Sequence, residues 1–129
     1  MSTVDILRRA ALAFGALALL AGSPAPHLGK SETRCGWLIN PTPANWWLID
    51  AEGEWTIGEQ GGYQAPGFDE APWEGLREQV SVNGNYGYEC VCMAVTSDPD
   101  TMTIARVISV RSKPLKACKD DPKLPSMDS

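Results

Sequence analysis

Four cysteines are the residues of this chain best suited to chemistry: Cys35, Cys90, Cys92 and Cys118. Four thiols can make two disulfides, a redox pair with partners, or a four-thiolate zinc site, and their spacing separates the three. Such a zinc site uses paired Cys-x-x-Cys knuckles, which this chain lacks. A redox-active Cys-x-Cys pair needs a cation or a helix N-terminus to lower a thiol pKa. Cys90 and Cys92 instead follow Glu89 inside Tyr88–Val95 (YECVCMAV), which reads as a strand. Disulfides are therefore expected. On a strand, residues i and i+2 point the same way from Cα atoms about 6.6 Å apart, a poor geometry for bonding each other. Each should reach for a distal cysteine, Cys35 or Cys118. The spans are 55 and 26 residues in one pairing and 57 and 28 in the other. Both sets come to about 7–8 kcal/mol in the chain-entropy view, so both pairings stay open.

Other catalytic chemistry finds little material. The single histidine, His27, lies near the N-terminus, so the part expected to fold has none. That removes Ser-His-Asp and Cys-His catalysis and every His-ligated metal site. Glycoside hydrolysis needs only two carboxyls about 5–9 Å apart, and Asp50, Glu52, Glu54, Asp69, Glu70 and Glu74 are available. They fall in turns, where acids are ordinarily solvated, and nothing in the spacing marks one as buried. No glycine-rich phosphate loop follows a strand and opens a helix. No catalytic residues, metal or cofactor are expected, and the chain is read as not an enzyme. Of 11 basic and 16 acidic residues, Arg8, Arg9 and Asp5 lie in the N-terminal leader, which leaves 9 against 15, a balance of −6. That argues against nucleic acid, whose affinity rests on clustered Lys and Arg.

Binding chemistry is better supplied, because five tryptophans are many for 129 residues. Trp46 and Trp47 are neighbours on an expected strand and must point to opposite faces, so one is exposed if the sheet has a wet face. With Trp55, and with Tyr63, Phe68 and Trp73 further on, they form the candidate binding set. Aromatic surface of this kind suits a sugar ring or a partner protein.

The elements that must position these residues begin after a leader. Arg8 and Arg9 precede the apolar run Ala10–Ala21, about a dozen residues and too short to span a membrane. Residues 1–30 therefore read as a cleaved signal peptide with a short spacer, and 31–129 as a single domain in an oxidising, periplasmic or secreted setting. No membrane span is expected after cleavage. Residues 45–50 and 54–57 read as strands joined by Ala51-Glu52-Gly53. Residues 78–82 lead into Asn83-Gly84, the preferred type I′ pair, and then into the cysteine strand. Thr103–Val110 follows, with Ile104, Arg106, Ile108 and Val110 expected on one face. Cys35–Ile39 adds a further strand, Ala71–Glu78 holds at most a turn or two of helix, and Pro114–Pro125 is a tail pinned by Cys118. The expected fold is all-β: a small antiparallel sheet closed as a barrel or sandwich and stapled by two disulfides. Gln60–Gly75, with four glycines, two prolines and three aromatics, is the least regular segment and long enough to be functional or an Ω-loop.

Taken together, Cys35-Gly36-Trp37, the run Asn40–Leu48 (NPTPANWWL), Gly53, Trp55, Gln60–Ala65, Asn83-Gly84, Tyr86-Gly87-Tyr88, the Cys90/Cys92 pair and Pro114-Leu115 with Cys118 resemble one bacterial family. It consists of small exported proteins of the domain of unknown function 4087 type. The resemblance covers essentially all of the chain after the leader. Glu89 departs from it, standing where a small residue is expected. The resemblance implies a bacterial, periplasmic protein and carries over no catalytic residues.

The expectation is thus a non-catalytic exported binding or interaction module for a protein or glycan ligand of the cell envelope, with oligomeric state left open. A more specific alternative is an inhibitor of a cell-wall hydrolase or lysozyme, since those enzymes are often basic and this domain is acidic. A carboxylate-dependent glycan hydrolase is the third.

Overall fold

The computed structural model describes residues 29–128. The signal peptide expected in residues 1–30 lies outside them but for its last two positions. The described chain is mostly β. It forms β1 (Glu32–Asn40), β2 (Trp46–Asp50), β3 (Gly53–Gly58), β4 (Trp73–Glu74), β5 (Val80–Asn83), β6 (Tyr86–Asp98), β7 (Thr103–Lys113) and one short helix, α1 (Leu115–Lys119). The strands join one seven-stranded sheet in the order β4-β7-β3-β2-β1-β6-β5, and β7 also pairs with β6. The sheet is not purely antiparallel. β7 runs parallel to β3 at Thr56/Thr103 and to β4 at Trp73/Val110. Long intervening chain separates the strands of each parallel pair, as such pairing requires.

Local chemistry sets the turns. Between β2 and β3, Asp50 Oδ1 accepts the Glu52 and Gly53 amides, and Gly53 takes φ 139°. The type I′ turn expected at Asn83-Gly84 does not form; the loop lies one residue later and is of another type. Asn83 remains the last residue of β5, and the loop is Gly84-Asn85 with φ 61° at Gly84 only. That is the first-position glycine of a type II′ loop. Residues 71–78 hold no helix; they contain β4, because Trp73 and Glu74 find backbone partners on β7. The helix instead lies in the tail, around Cys118.

β7 departs most from its sequence pattern. Ile104, Val107 and Val110 are buried, whereas Arg106 and Ile108 are exposed. Two bulges explain this. The register against β6 skips Ile108, between Ser109/Ala94 and Val107/Val95, and skips Ala105, between Arg106/Thr96 and Ile104/Ser97. Each extra residue flips the face and adds twist, so the simple alternation of Ile104, Arg106, Ile108 and Val110 fails.

Apolar burial falls into two clusters on opposite faces. The inner cluster joins Leu38, Leu48, Trp55, Ile57, Ala65, Val91, Met93, Val95, Ile104, Val107 and Val110. The outer one joins Trp37, Tyr88, Cys90 and Cys118, with Ile39, Ile49, Val80, Leu115, Leu124 and Met127 packed against it. β1 and β6 are covered on both faces as a result. The disulfides are Cys35–Cys92 and Cys90–Cys118, with spans of 57 and 28 residues. The first joins direct register partners of β1 and β6; the second ties the tail to the outer face.

Candidate functional site

The Gln60–Gly75 segment lies in the space between β3 and β7. Gln64 bridges back to Gly58, and the Ala65 amide donates to Ile57. The Val107 and Val110 amides of β7 donate to the carbonyls of Pro66 and Pro72. A Cβ on Gly67, whose φ is 84°, would sit 2.3 Å from the Val107 carbonyl oxygen. The glycines here allow close backbone approach.

The aromatics of the candidate set serve this arrangement unequally. Trp46 faces inward and meets Phe68 edge-to-face at 5.0 Å. Tyr63 is 39% exposed, and its hydroxyl donates to the Ile104 carbonyl at 2.7 Å. Burial pushes its phenol above the usual tyrosine range. Trp73 is half-buried and donates from its indole to Ser112 Oγ. Trp55 is 1% exposed and belongs to the core. Trp47 is half-buried, outside both clusters, and by alternation faces outward from β2. The structure therefore brings Trp46 and Phe68 together and leaves Trp47 on the other face.

Two tryptophans are each stacked under an arginine that holds a buried carboxylate. Arg34 lies 3.8 Å over the Trp55 ring and donates to Asp50 Oδ2 at 2.7 Å and Glu52 Oε2 at 2.8 Å. Asp50 Oδ1 accepts the Trp55 indole as well as two amides. Burial pulls the Arg34 guanidinium down, but the hydrogen bonds to Asp50 and Glu52 and the charges of Asp50 and Glu32 outweigh it and hold it above its ordinary value. Arg77 likewise lies 3.8 Å over Trp73 and grips Glu89 bidentately at 3.1 and 2.6 Å. Glu89, 2% exposed, is the residue that departs from the expected small side chain, and Arg77 is its compensation. Of the six carboxylates considered for hydrolysis, Asp50 is spent on these contacts and the other five are exposed. All four cysteines are bonded, and no metal-ligand cluster occurs among the described residues.

The outer face carries a different kind of surface. Register pairs align Trp47 with Ile39, Ile39 with Tyr88, and Tyr88 with Val80, one apolar row across four strands. A second row runs Ile49, Trp37, Cys90. The tail covers the second row, whereas the first opens into an apolar groove of about 220 Å³ among Ile39, Pro41, Val82, Gly87, Tyr88 and Met127. Val82, at the bulge of edge strand β5, is 71% exposed. Of the groove, sequence reasoning picked out none of the residues. Its signal lay in period two, Trp37/Ile39 and Tyr88/Cys90, read against the shared direction of Cys90 and Cys92.

No curated protein and no solved structure matches this chain. Among the described residues, no helix is long and apolar enough to cross a membrane. One family does match, over residues 29–125, so most of the chain, including every disulfide cysteine and all five tryptophans, falls within it. The chain belongs to the family described as protein of unknown function (DUF4087).

Proposed function

We propose that this is a non-catalytic, exported binding module that works in the periplasm or outside the cell, its signal peptide removed and its sheet closed as a small barrel. The pairing of β7 with both β6 and β3 supports the barrel, and two disulfides support an oxidising compartment. One observation carries the reading. The four cysteines and the buried acids Asp50 and Glu89 are engaged in structure, while Trp47 and Ile39 of the outer row stay half-buried and the groove beside them is open. Partly covered aromatic surface of this kind favours a protein ligand, with tryptophan as the anchor. Capture from a periplasmic extract tests it. The chain should retain a specific protein, Trp47→Ala should weaken retention at least tenfold, and 0.5 M salt should leave most of it. Equal retention by Trp47→Ala would reject the outer face as the site.

The inhibitor alternative has its own observation. Glu52, Glu54, Glu59, Asp69, Glu70 and Glu74 are all exposed, around β3 and the segment that follows it. They would steer a basic hydrolase or lysozyme. Inhibition of a lysozyme panel at micromolar protein, lost as salt rises past about 0.15 M, is the expected result; inactivity across the panel rejects it. A carboxylate-dependent glycan hydrolase has less support, because its one buried candidate, Asp50, is held by Arg34 and Trp55.

A further inference from the structure

The two disulfides differ in what surrounds them. Cys90 and Cys118 are each 3% exposed and lie packed among Trp37, Tyr88 and Leu115. Cys35 is exposed and Cys92 half-buried, and both stand outside the two apolar clusters. Register sets their neighbours. Cys35, Cys92 and Arg111 are successive partners across β1, β6 and β7, so they share one row and one face. Lys113 stands opposite Cys90 in the next row, and Thr33, Ala94 and Ser109 form the row on the other side. Thr33, Cys92, Ala94, Ser109, Arg111 and Lys113 together line an open depression of about 270 Å³. Two cations therefore stand beside a sulfur, in a chain whose net charge is −5. Glu74 reaches Arg111 at 3.8 Å, but both ends are exposed and water screens the pair. The segment around Cys92 gives no sign of these cations, because both come from β7.

The geometry points to Cys92 as a site of thiol–disulfide exchange, with a small thiol that carries carboxylates as its co-reactant. Such exchange is independent of the ligand that the outer face binds. The depression is lined by Cys92 but not by Cys35. A thiol whose carboxylate rests on Arg111 or Lys113 approaches Cys92 from the side away from Cys35, and the same cations favour its thiolate. The thiolate sulfur bonds to Cys92 Sγ, the Cys92–Cys35 bond breaks, and its electron pair leaves with Cys35 Sγ. Cys35, being exposed, leaves as a hydrated thiolate and takes a proton from water. The incoming sulfur is oxidised to the mixed disulfide as Cys35 is reduced, so no further oxidant enters. Attack by Cys35 on the mixed disulfide reverses the step. The fold survives the opening, because the rest of a nine-pair ladder still holds β1 to β6. A depression smaller than the about 300 Å³ of ordinary ligand pockets holds the thiol weakly, so recognition shows in the rate.

The test incubates the oxidised chain with millimolar glutathione, a thiol with two carboxylates, or with uncharged 2-mercaptoethanol, and traps free thiols with iodoacetamide. Peptide mass mapping should find glutathione on Cys92, the alkyl group on Cys35, and Cys90–Cys118 intact. Arg111→Gln with Lys113→Gln should slow glutathione at least threefold more than 2-mercaptoethanol, the worth of exposed ion pairs. Should that variant misfold, 0.5 M salt on the unsubstituted chain replaces it and should lower the same ratio of rates. Cys90–Cys118 opening first or at the same rate, an adduct confined to Cys35, or no opening at all overturns the site. Equal slowing of the two thiols overturns the role of Arg111 and Lys113.

Discussion

At the residue scale, the two buried acids show how polar groups survive in a small core. Asp50 is a fourfold acceptor, and Asp50→Asn turns one oxygen into a donor facing Arg34. Asp50→Asn should cost about 2–4 kcal/mol in urea unfolding, more than an exposed substitution such as Glu70→Gln, which should stay within about 0.5 kcal/mol. Arg77→Leu, which strands the Glu89 carboxylate, should destabilise, and the further change Glu89→Leu should recover most of the loss. Tyr63 gives a pH prediction. Its phenol is raised in the folded state by burial, so its contribution is complete below the usual tyrosine value near 10 and is lost as pH climbs through the raised one. Alkaline unfolding should therefore be shallower in Tyr63→Phe than in the unsubstituted chain.

At the element scale, the sheet depends on an irregular segment. Gly67 and Gly61 both have positive φ, 84° and 75°, but only Gly67 lies against backbone. Gly61→Ala should cost about 1–2 kcal/mol for backbone strain alone, and Gly67→Ala clearly more, because its Cβ meets Val107. Equal costs would mean that the segment does not hold to β7. Hydrogen exchange should find the Thr56/Thr103 contact opening before the β6–β7 ladder, which runs over nine register pairs. Most strands were legible, since alternation and turn residues mark β2, β3, β6 and β7 within a few positions. The bulges were not: the Ile108 and Ala105 insertions are defined by the register of β7 against β6, which no local pattern states. The same holds for β4, two residues that are a strand only because β7 lies beside them.

At the scale of the whole molecule, the two disulfides have different tasks. Cys35–Cys92 staples strands already paired, whereas Cys90–Cys118 holds the tail on the outer face. Each loop is worth about 4 kcal/mol in the chain-entropy view. Cys35→Ser with Cys92→Ser should lower the unfolding free energy by up to that amount without changing tryptophan emission. Cys90→Ser with Cys118→Ser should in addition redden it, as Trp37 loses its cover. A blue-shifted or unchanged spectrum in the second pair would mean that the tail stays in place unaided.

Composition and spacing by themselves determined the class of this protein: mostly β, disulfide-bonded, acidic, without a histidine among the described residues, and a member of one family. These follow from what residue types can do wherever they lie. Tertiary structure alone decided which cysteine meets which, since loop entropies differ too little to choose and the register of β1 on β6 sets Cys35 against Cys92. It also decided that Trp55 and Trp37, both 1% exposed, are buried on opposite faces with different partners, Asp50 for one indole and the Pro125 carbonyl for the other, while Trp47 stays half-buried. An indole takes its cover and its partner from what the rest of the chain lays across it, which its sequence neighbours do not state.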